Sequence, residues 1–459
     1  MTSIRTTRIR ALLVLSTICL GILATADLVA GPQPNQVHRL SEDLTPVGAE
    51  RAGNEAGTIP AWTGGILEPP VPYEPGDHHP DPFIGEQALF RIDAGNLEQY
   101  REFLGTGQVA MLEKYPDFYL EVYPSHRTAA FPERIYEMTA RNAARGALAE
   151  YGNAVVNVAE GFPFPFPENA HELIWNHRLR YKGTGSIRHI NMIAPTRRGA
   201  FTEVLMTVTT TNPYYEEGAT LESIDNHLLM FRREITAPPR LAGASLLVFE
   251  SLNQVLQPRK AWIYNPGQRR VIRAPNVAYD SPSGATDGLH VSDMTDMFNG
   301  ALDRFDWKLV GKREMYVPYN SYEVHSNELD YDDLVRSGHL EPGYLRYELH
   351  RVWVVEATLK EGQRHINSRR TFYLDEDSYQ ILMTDHYDSS GGLWRYSEAH
   401  PINFYDVPVF WTTIEVHNDL NEGRYAAFRL DPTKPVPPFN MDMDMNDFTP
   451  QALRRQGRR

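Results

Sequence analysis

From about Leu179 onward the chain reads as one strand after another, each closed by turn residues. That pattern commits it to a sheet built largely from sequence neighbours. The clearest instance is Arg259 to Asp280, RKAWIYNPGQRRVIRAPNVAYD. Trp262 and Tyr264 fall on one face by period-two alternation, and Asn265-Pro266-Gly267-Gln268 puts Pro and Gly where a type II turn wants them. A tight turn pairs Trp262 with Val271 and Tyr264 with Arg269. Two-residue hairpins prefer the primed turn types, so a wider loop with a shifted register is the alternative.

Other segments extend the sheet. Ile187 to Ala194, a turn at Thr196 to Gly199, and Ala200 to Thr211 form a hairpin rich in Val, Thr and Ile. Leu221 to Arg233 reads as a helix and Leu246 to Val255 as a strand. Tyr347 to Leu359 is the most amphipathic strand: its odd positions are apolar except Arg351, and its even positions include Glu348, His350 and Glu356. Glu361-Gly362, Asp375-Glu376-Asp377 and Ser389 to Gly392 then punctuate further strands at near-regular intervals, as in an antiparallel meander. The fold class expected is α+β, a large antiparallel sheet packed on helices.

The earlier part of the chain is different. Residues 27–84 are rich in Pro and Gly with little periodicity, and read as an extended arm lying on the main body. Residues 85–178 turn helical: Glu133 to Glu150 can bury Ile135, Met138, Ala143 and Leu148 on one side. Gly161-Phe162-Pro163-Phe164-Pro165-Phe166-Pro167 cannot be a helix and is expected to cross the body extended, its three rings docked. A short helix containing Leu173, Ile174 and Trp175 follows. With no sharp composition break, residues 85–459 are read as one mixed domain: a helical part at 85–178, the sheet at 179–430 and a tail at 431–459. Two intertwined sub-layers are the alternative.

Met1 to Ala26 has the plan of a secretory signal: Arg5, Arg8 and Arg10, the apolar run Ala11 to Ala24, and Ala24-Thr25-Ala26 as a small-x-small site before Asp27. The run is shorter than the ~20 residues of a spanning helix. Cys19, the single cysteine, follows Ile18 where a lipoprotein signal has a small residue. Cleavage near Ala26/Asp27 leaves a soluble chain without disulfides, which fits a bacterial periplasm. It also leaves 42 basic against 59 acidic residues, a formal charge of −17. Such acidity argues against nucleic acid or anionic lipid surfaces as main partners. The basic end Arg454 to Arg459 is a solvated terminus or, alternatively, a docking signal.

Catalytic motifs are missing. There is no Gly-x-Ser-x-Gly elbow or Walker loop, and Gly183-Thr184-Gly185-Ser186-Ile187-Arg188 lacks the last glycine of a dinucleotide fingerprint. His171 and His177 stand six apart, off the four-residue spacing of a zincin. His78-His79-Pro80-Asp81 has no second ligand cluster at a recognisable spacing. Asp442-Met443-Asp444-Met445-Asn446 starts like a calcium loop, but Asp447 and Leu453 stand where Gly and Glu are needed. Asp303-Arg304-Phe305-Asp306-Trp307 offers two carboxylates beside aromatics, the raw material of a hydrolase, without fixing their separation. No catalytic residue, metal ligand or cofactor is assigned. The 24 Tyr, 19 Phe and 7 Trp either fill a large core or wall an apolar pocket that holds a lipid-like ligand.

Several long stretches carry a resemblance. DLTPVGAERAGNEAGTIPAWTGG (Asp43 to Gly65), WIYNPGQRRVIRAPN (Trp262 to Asn276), DRFDWKLVGKREMYVPYN (Asp303 to Asn320), RYELHRVWVVEATLK (Arg346 to Lys360), FYLDEDSY and DHYDSSGGLWR together resemble the proteobacterial exported family called domain of unknown function 1329. The Trp-x-Tyr-x-Pro hairpin with Arg-Arg-Val-x-Arg, and the later Leu-Asp-x-x-Ser-Tyr turn with Tyr-Asp-x-x-Gly-x-Leu, are more distantly similar to the lipoprotein-sorting proteins LolA and LolB. That likeness implies a half-barrel of curved antiparallel strands around helices, with acyl chains in an apolar cavity. The expected function is a periplasmic protein that binds a lipid or other hydrophobic molecule in cell-envelope transport or outer-membrane maintenance. The alternative is a scaffold whose arm and tail dock on an outer-membrane or transporter protein. The expected cavity walls are Trp175, Trp262, Tyr264, Trp307, Tyr316, Trp353 and Tyr373.

Overall fold

Two runs of hairpins, joined edge to edge, make the body of the molecule. The computed structural model describes residues 34–456 apart from 275, 276 and 278. The signal segment, its cleavage site and the last three residues of the basic end therefore lie outside the described residues.

Short strands β1 (Phe90–Ile92) and β2 (Leu120–Tyr123) come first, and β3 (Ala147–Ala149) and β4 (Ala154–Val156) make a separate small hairpin. The first run is β5 (Gly185–Ile193), β6 (Val204–Thr211), β7 (His227–Ala237), β8 (Ser245–Ser251), β9 (Lys260–Asn265) and β10 (Arg270–Arg273). The second is β11 (Phe305–Pro318), β12 (Tyr347–Leu359), β13 (Arg369–Asp375), β14 (Ile381–Tyr387), β15 (Leu393–Phe404), β16 (Val409–Asp419) and β17 (Arg424–Phe428). Within each run every strand pairs antiparallel with the next. The runs meet where Ala427 and Phe428 of β17 pair with Ile193 and Met192 of β5. One open sheet results, and it is not closed into a barrel; β2 adds a short parallel pairing to β12.

Bulges shape this sheet. Register shifts opposite Leu205/Met206, between His227 and Leu229, between Leu309 and Gly311 and opposite His400/Pro401 skip Thr236 on β7, Leu228 on β7, Val310 on β11 and Thr413 on β16. Each leaves an unpaired residue that bends its strand. Pro401 has no N–H to give the ladder, and a bulge is where a strand tolerates that.

Local expectations fared unevenly. The Thr196–Gly199 turn is present, with Gly199 N–H donating to the Thr196 carbonyl at 2.9 Å. The helix expected at Leu221 to Arg233 shrinks to Leu221–Ile224, because Asp225 and Asn226 adopt positive φ (45° and 62°) and send the chain into β7. The helix from Glu133 stops at Ala143, ahead of β3. The 259–280 hairpin takes the wider loop: Val271 pairs with Tyr264 and Arg273 with Trp262. The amide of Gln268 donates to the Asn265 side chain, and Arg269 takes φ 51°, which closes the loop.

The helix Ala170–Arg178 is capped by Asn169, whose side chain accepts from the Glu172 amide, and all its residues but His171 are buried. Phe162 and Phe164 are buried beside it and Phe166 is half-buried. The arm, residues 34–84, lies along the body without strands and anchors Leu44, Val47, Ile59 and Trp62. Gly48 fixes its path: φ is +98°, and a Cβ there would stand 1.7 Å from the Pro165 carbonyl oxygen. Only glycine fits that approach.

Candidate functional site

One face of β5 to β9, with parts of β16 and β17, lines a cavity of about 450 Å³. Strand pairing sets the lining out in rows. Ser186, Thr210 and Phe231 form one row across β5, β6 and β7. Arg188, Val208, Arg233, Leu246 and Ile263 form the next, running from β5 to β9. Ile190, Met206 and Ile235 form a third, and Met192 with Phe428 a fourth. Cross-strand partners project from the same side of a sheet, so these rows share one surface. Residues 279–299, on the connection from β10 to β11, cover it with Pro282, Ala285, His290 and Phe298, and Trp411 of β16 closes a side.

Most of this surface is apolar, but it carries charge. Arg178 and Arg259 share the fully buried Glu250, at 3.6 and 2.7 Å. Lys182 pairs with Asp296 at 2.9 Å, and burial pulls its ammonium down to about 8. Arg180 pairs with the same carboxylate at 2.5 Å, and Trp411 Nε1 donates to it at 3.0 Å. Burial opposes ionisation of Asp296, yet the surrounding cations hold it well below the usual carboxylate range. Arg429 lies 3.0 Å from Glu415.

Two lining cations differ from these. Arg188 and Arg233 have no hydrogen bond or ion pair with any described residue. Arg188 lies with its guanidinium 4.2 Å from the centre of the Trp411 ring, and its buried Nε has no partner. Burial, then the nearby Arg429, pulls it down to about 9, so it stays protonated at neutral pH. Burial alone lowers Arg233. Both are half-buried, and Asp296, Glu415 and Asp431 act on Arg188 only from beyond ion-pair distance, so each guanidinium loses part of its hydration without a paired counter-charge, which is destabilising. His290, which faces them from the covering segment, is held neutral by burial and then by His417 and Arg233.

None of the seven aromatics expected as walls lies on this cavity. Trp262 and Tyr264 alternate with Ile263, so when Ile263 faces the cavity they face the other way; there they pack with Met230, Leu247, Phe448 and Leu453. Trp175 is fully buried, its Nε1 donating to the Gly152 carbonyl at 2.9 Å. Trp307 stacks on Phe372 at 5.7 Å. Tyr316 meets Phe90 edge-on at 5.9 Å. Trp353 lies under the Lys312 ammonium at 4.6 Å. Tyr373 donates to Asp385 at 2.8 Å. These last five belong to, or pack against, the main core. The residues that do line the cavity had a readable mark: in Ser186-x-Arg188-x-Ile190-x-Met192 and Leu229-x-Phe231-x-Arg233-x-Ile235 an arginine occupies a largely apolar phase.

A second cluster lies elsewhere in the core. His350, Asp375 and Asp377 each bring a ligand atom within 4.8 Å of the others. Protein groups already engage all three. Arg127 grips Asp377 at 2.6 and 2.8 Å, Ser378 donates to Asp375 at 2.5 Å, and His350 meets Glu348 at 3.0 Å while stacking on Tyr319 at 3.8 Å. Glu348 and His350 are buried although they stand in the polar phase of β12, because Arg346, Asn320 and the His126 amide bond to Glu348 and Tyr319 stacks on His350. His177 is buried between the Tyr379 and Asp296 carbonyls, away from half-buried His171. Asp303 and Asp306 do not line the cavity.

Residues 91–454 match the family described as "Protein of unknown function (DUF1329)". The chain belongs to the DUF1329 family. It is 44% identical to an uncharacterised protein of Pseudomonas aeruginosa over 99% of both chains. Among solved structures, this DUF1329 protein is similar to a putative outer membrane lipoprotein-sorting protein domain from Vibrio parahaemolyticus. That likeness has 13% identity and a TM-score of 0.43, over 62% of this chain and 97% of that one. It is also similar to a DUF1329 family protein from Desulfovibrio piger, at 15% identity and a TM-score of 0.41, over 59% and 92% of the two chains. No helix among the described residues is long and apolar enough to cross a membrane.

Proposed function

We propose that this DUF1329 protein is a periplasmic carrier that holds a lipid or other hydrophobic molecule in the β5–β9 cavity and delivers it to an outer-membrane or transporter protein. The cavity carries this reading. At about 450 Å³ it is of ligand size, and Met192, Met206, Val208, Ile235, Leu246 and Ile263 give it a largely apolar floor. Each methylene transferred from water to such a floor contributes about 0.8 kcal/mol, so a chain of moderate length binds without specific polar contacts. Met at two floor positions adds side chains that re-pack around irregular shapes. Binding, not turnover, is the role these walls support.

Purification of the mature protein from its own envelope, followed by organic extraction and mass spectrometry, tests this. A co-purifying apolar compound, depleted when Val208→Trp fills the floor, is the expected result. Protein that carries no apolar compound and takes none up from a lipid extract would overturn it.

A further inference from the structure

The charged row across the cavity floor goes beyond apolar binding. Arg188 and Arg233 stand in one register row on β5 and β7 with Val208 between them. Strands lie about 4.8 Å apart, so the two backbones are about 10 Å apart and two long side chains can converge on one small group. Every other lining cation described above has a carboxylate: Glu250 for Arg178 and Arg259, Asp296 for Lys182, Glu415 for Arg429. These two have none, and the Nε of Arg188 is buried and unpartnered. The same row continues into Leu246 and Ile263, so an anion held by the arginines would have its apolar body laid along the floor.

We infer that Arg188 and Arg233 form an anion subsite, and that the ligand of this cavity is an amphipathic anion whose carboxylate or phosphate head sits between them. Guanidinium groups suit either head because their N–H donors match two oxygens at once. The cavity is thus a site for a charged lipid-like molecule, not for a neutral hydrocarbon. This inference rests on the carrier reading above but adds a distinct requirement, that the ligand be charged.

The test uses the mature protein and the uncharged fluorophore N-phenyl-1-naphthylamine, displaced in turn by oleate, methyl oleate and inorganic phosphate. Oleate should displace the probe at a concentration at least about tenfold lower than methyl oleate, the difference expected for charge-assisted hydrogen bonds. The R188Q/R233Q variant should close that gap by weakening oleate, while its probe signal reports that the cavity still forms. R188K/R233K should keep part of the preference. Equal displacement by oleate and its ester in the unsubstituted protein, or an unchanged gap in R188Q/R233Q, would overturn the subsite and leave the carrier reading standing. Displacement of oleate by millimolar inorganic phosphate would overturn it in favour of a free-anion site. A protein that binds neither the probe nor either lipid would overturn the carrier reading itself, and the subsite with it.

Discussion

Arg188 and Arg233 flank Val208 in a single row of the sheet, both facing one cavity and neither meeting a carboxylate. Sheets rarely keep two cations on an apolar floor, because each loses part of its hydration without gaining an ion pair.

Removing either charge should therefore stabilise the ligand-free protein. Arg233→Met, close in length and apolar, is expected to raise the free energy of unfolding by about 1 kcal/mol in urea titration. Glu250→Gln should do the opposite and cost about 3 kcal/mol, since it leaves Arg178 and Arg259 buried without their shared partner. Opposite signs for the two substitutions are the expected outcome; two losses would mean that Arg233 has a structural partner.

The C-terminal segment should report on the outer side of the hairpin. Leu453 and Phe448 cover Trp262 and Tyr264. Leu453→Ala is expected to cost about 2 kcal/mol and to shift the Trp262 emission to the red, read as a difference against Trp262→Phe because the chain has 7 Trp. An unshifted spectrum would mean that the segment does not seal this face.

Asp385 gives a pH signature. It accepts hydrogen bonds from Tyr373 and the Gly107 amide, yet burial dominates and pushes its carboxyl up to about 6. The folded state then keeps a proton that the unfolded chain releases near pH 4. Its contribution to stability is complete below about pH 4 and is lost as pH rises through about 6. Asp385→Asn removes that loss, so the variant's stability relative to the natural protein should climb from pH 4 to 6 and then level off. Buried histidines such as His417, held down at about 3, change stability in the opposite sense over this range, but they are common to both proteins and cancel in the difference.

Gly48 should be intolerant of any side chain. Gly48→Ala must adopt φ near +98° with its Cβ against the Pro165 carbonyl. A penalty of at least about 1 kcal/mol is expected, with faster proteolytic cleavage of the arm between residues 48 and 82. Cleavage at the unsubstituted rate would mean that the arm is not held at this point.

The sheet was legible in the sequence because turn residues mark nearly every hairpin, from Thr196–Gly199 to Ser389–Gly392, and alternation marks the strands between them. β7 was not: Leu221 to Arg233 has helical spacing, and only the left-handed turn at Asp225 and Asn226 divides it. Phe231, Arg233 and Ile235 lie on that segment, and with them the β7 share of the cavity floor. The aromatics drew attention instead, but size does not decide which face of a strand a ring occupies. Tyr264 and Ile263 are neighbours in the chain, and which of them meets the ligand depends on where Phe448 and Leu453 come to rest, nearly 200 residues later. The buried carboxylates of the Asp375–Asp377 turn were invisible for a similar reason, since Arg127 approaches them from 250 residues away.

The most direct measurement is a titration of the mature protein with N-phenyl-1-naphthylamine, run in parallel on Val208→Trp, whose indole would occupy the centre of the floor. Saturable binding at one site per chain, lost or strongly weakened in Val208→Trp at unchanged secondary structure, is the result predicted. No saturable binding, or equal binding by both proteins, would contradict the assignment of this cavity as the ligand site.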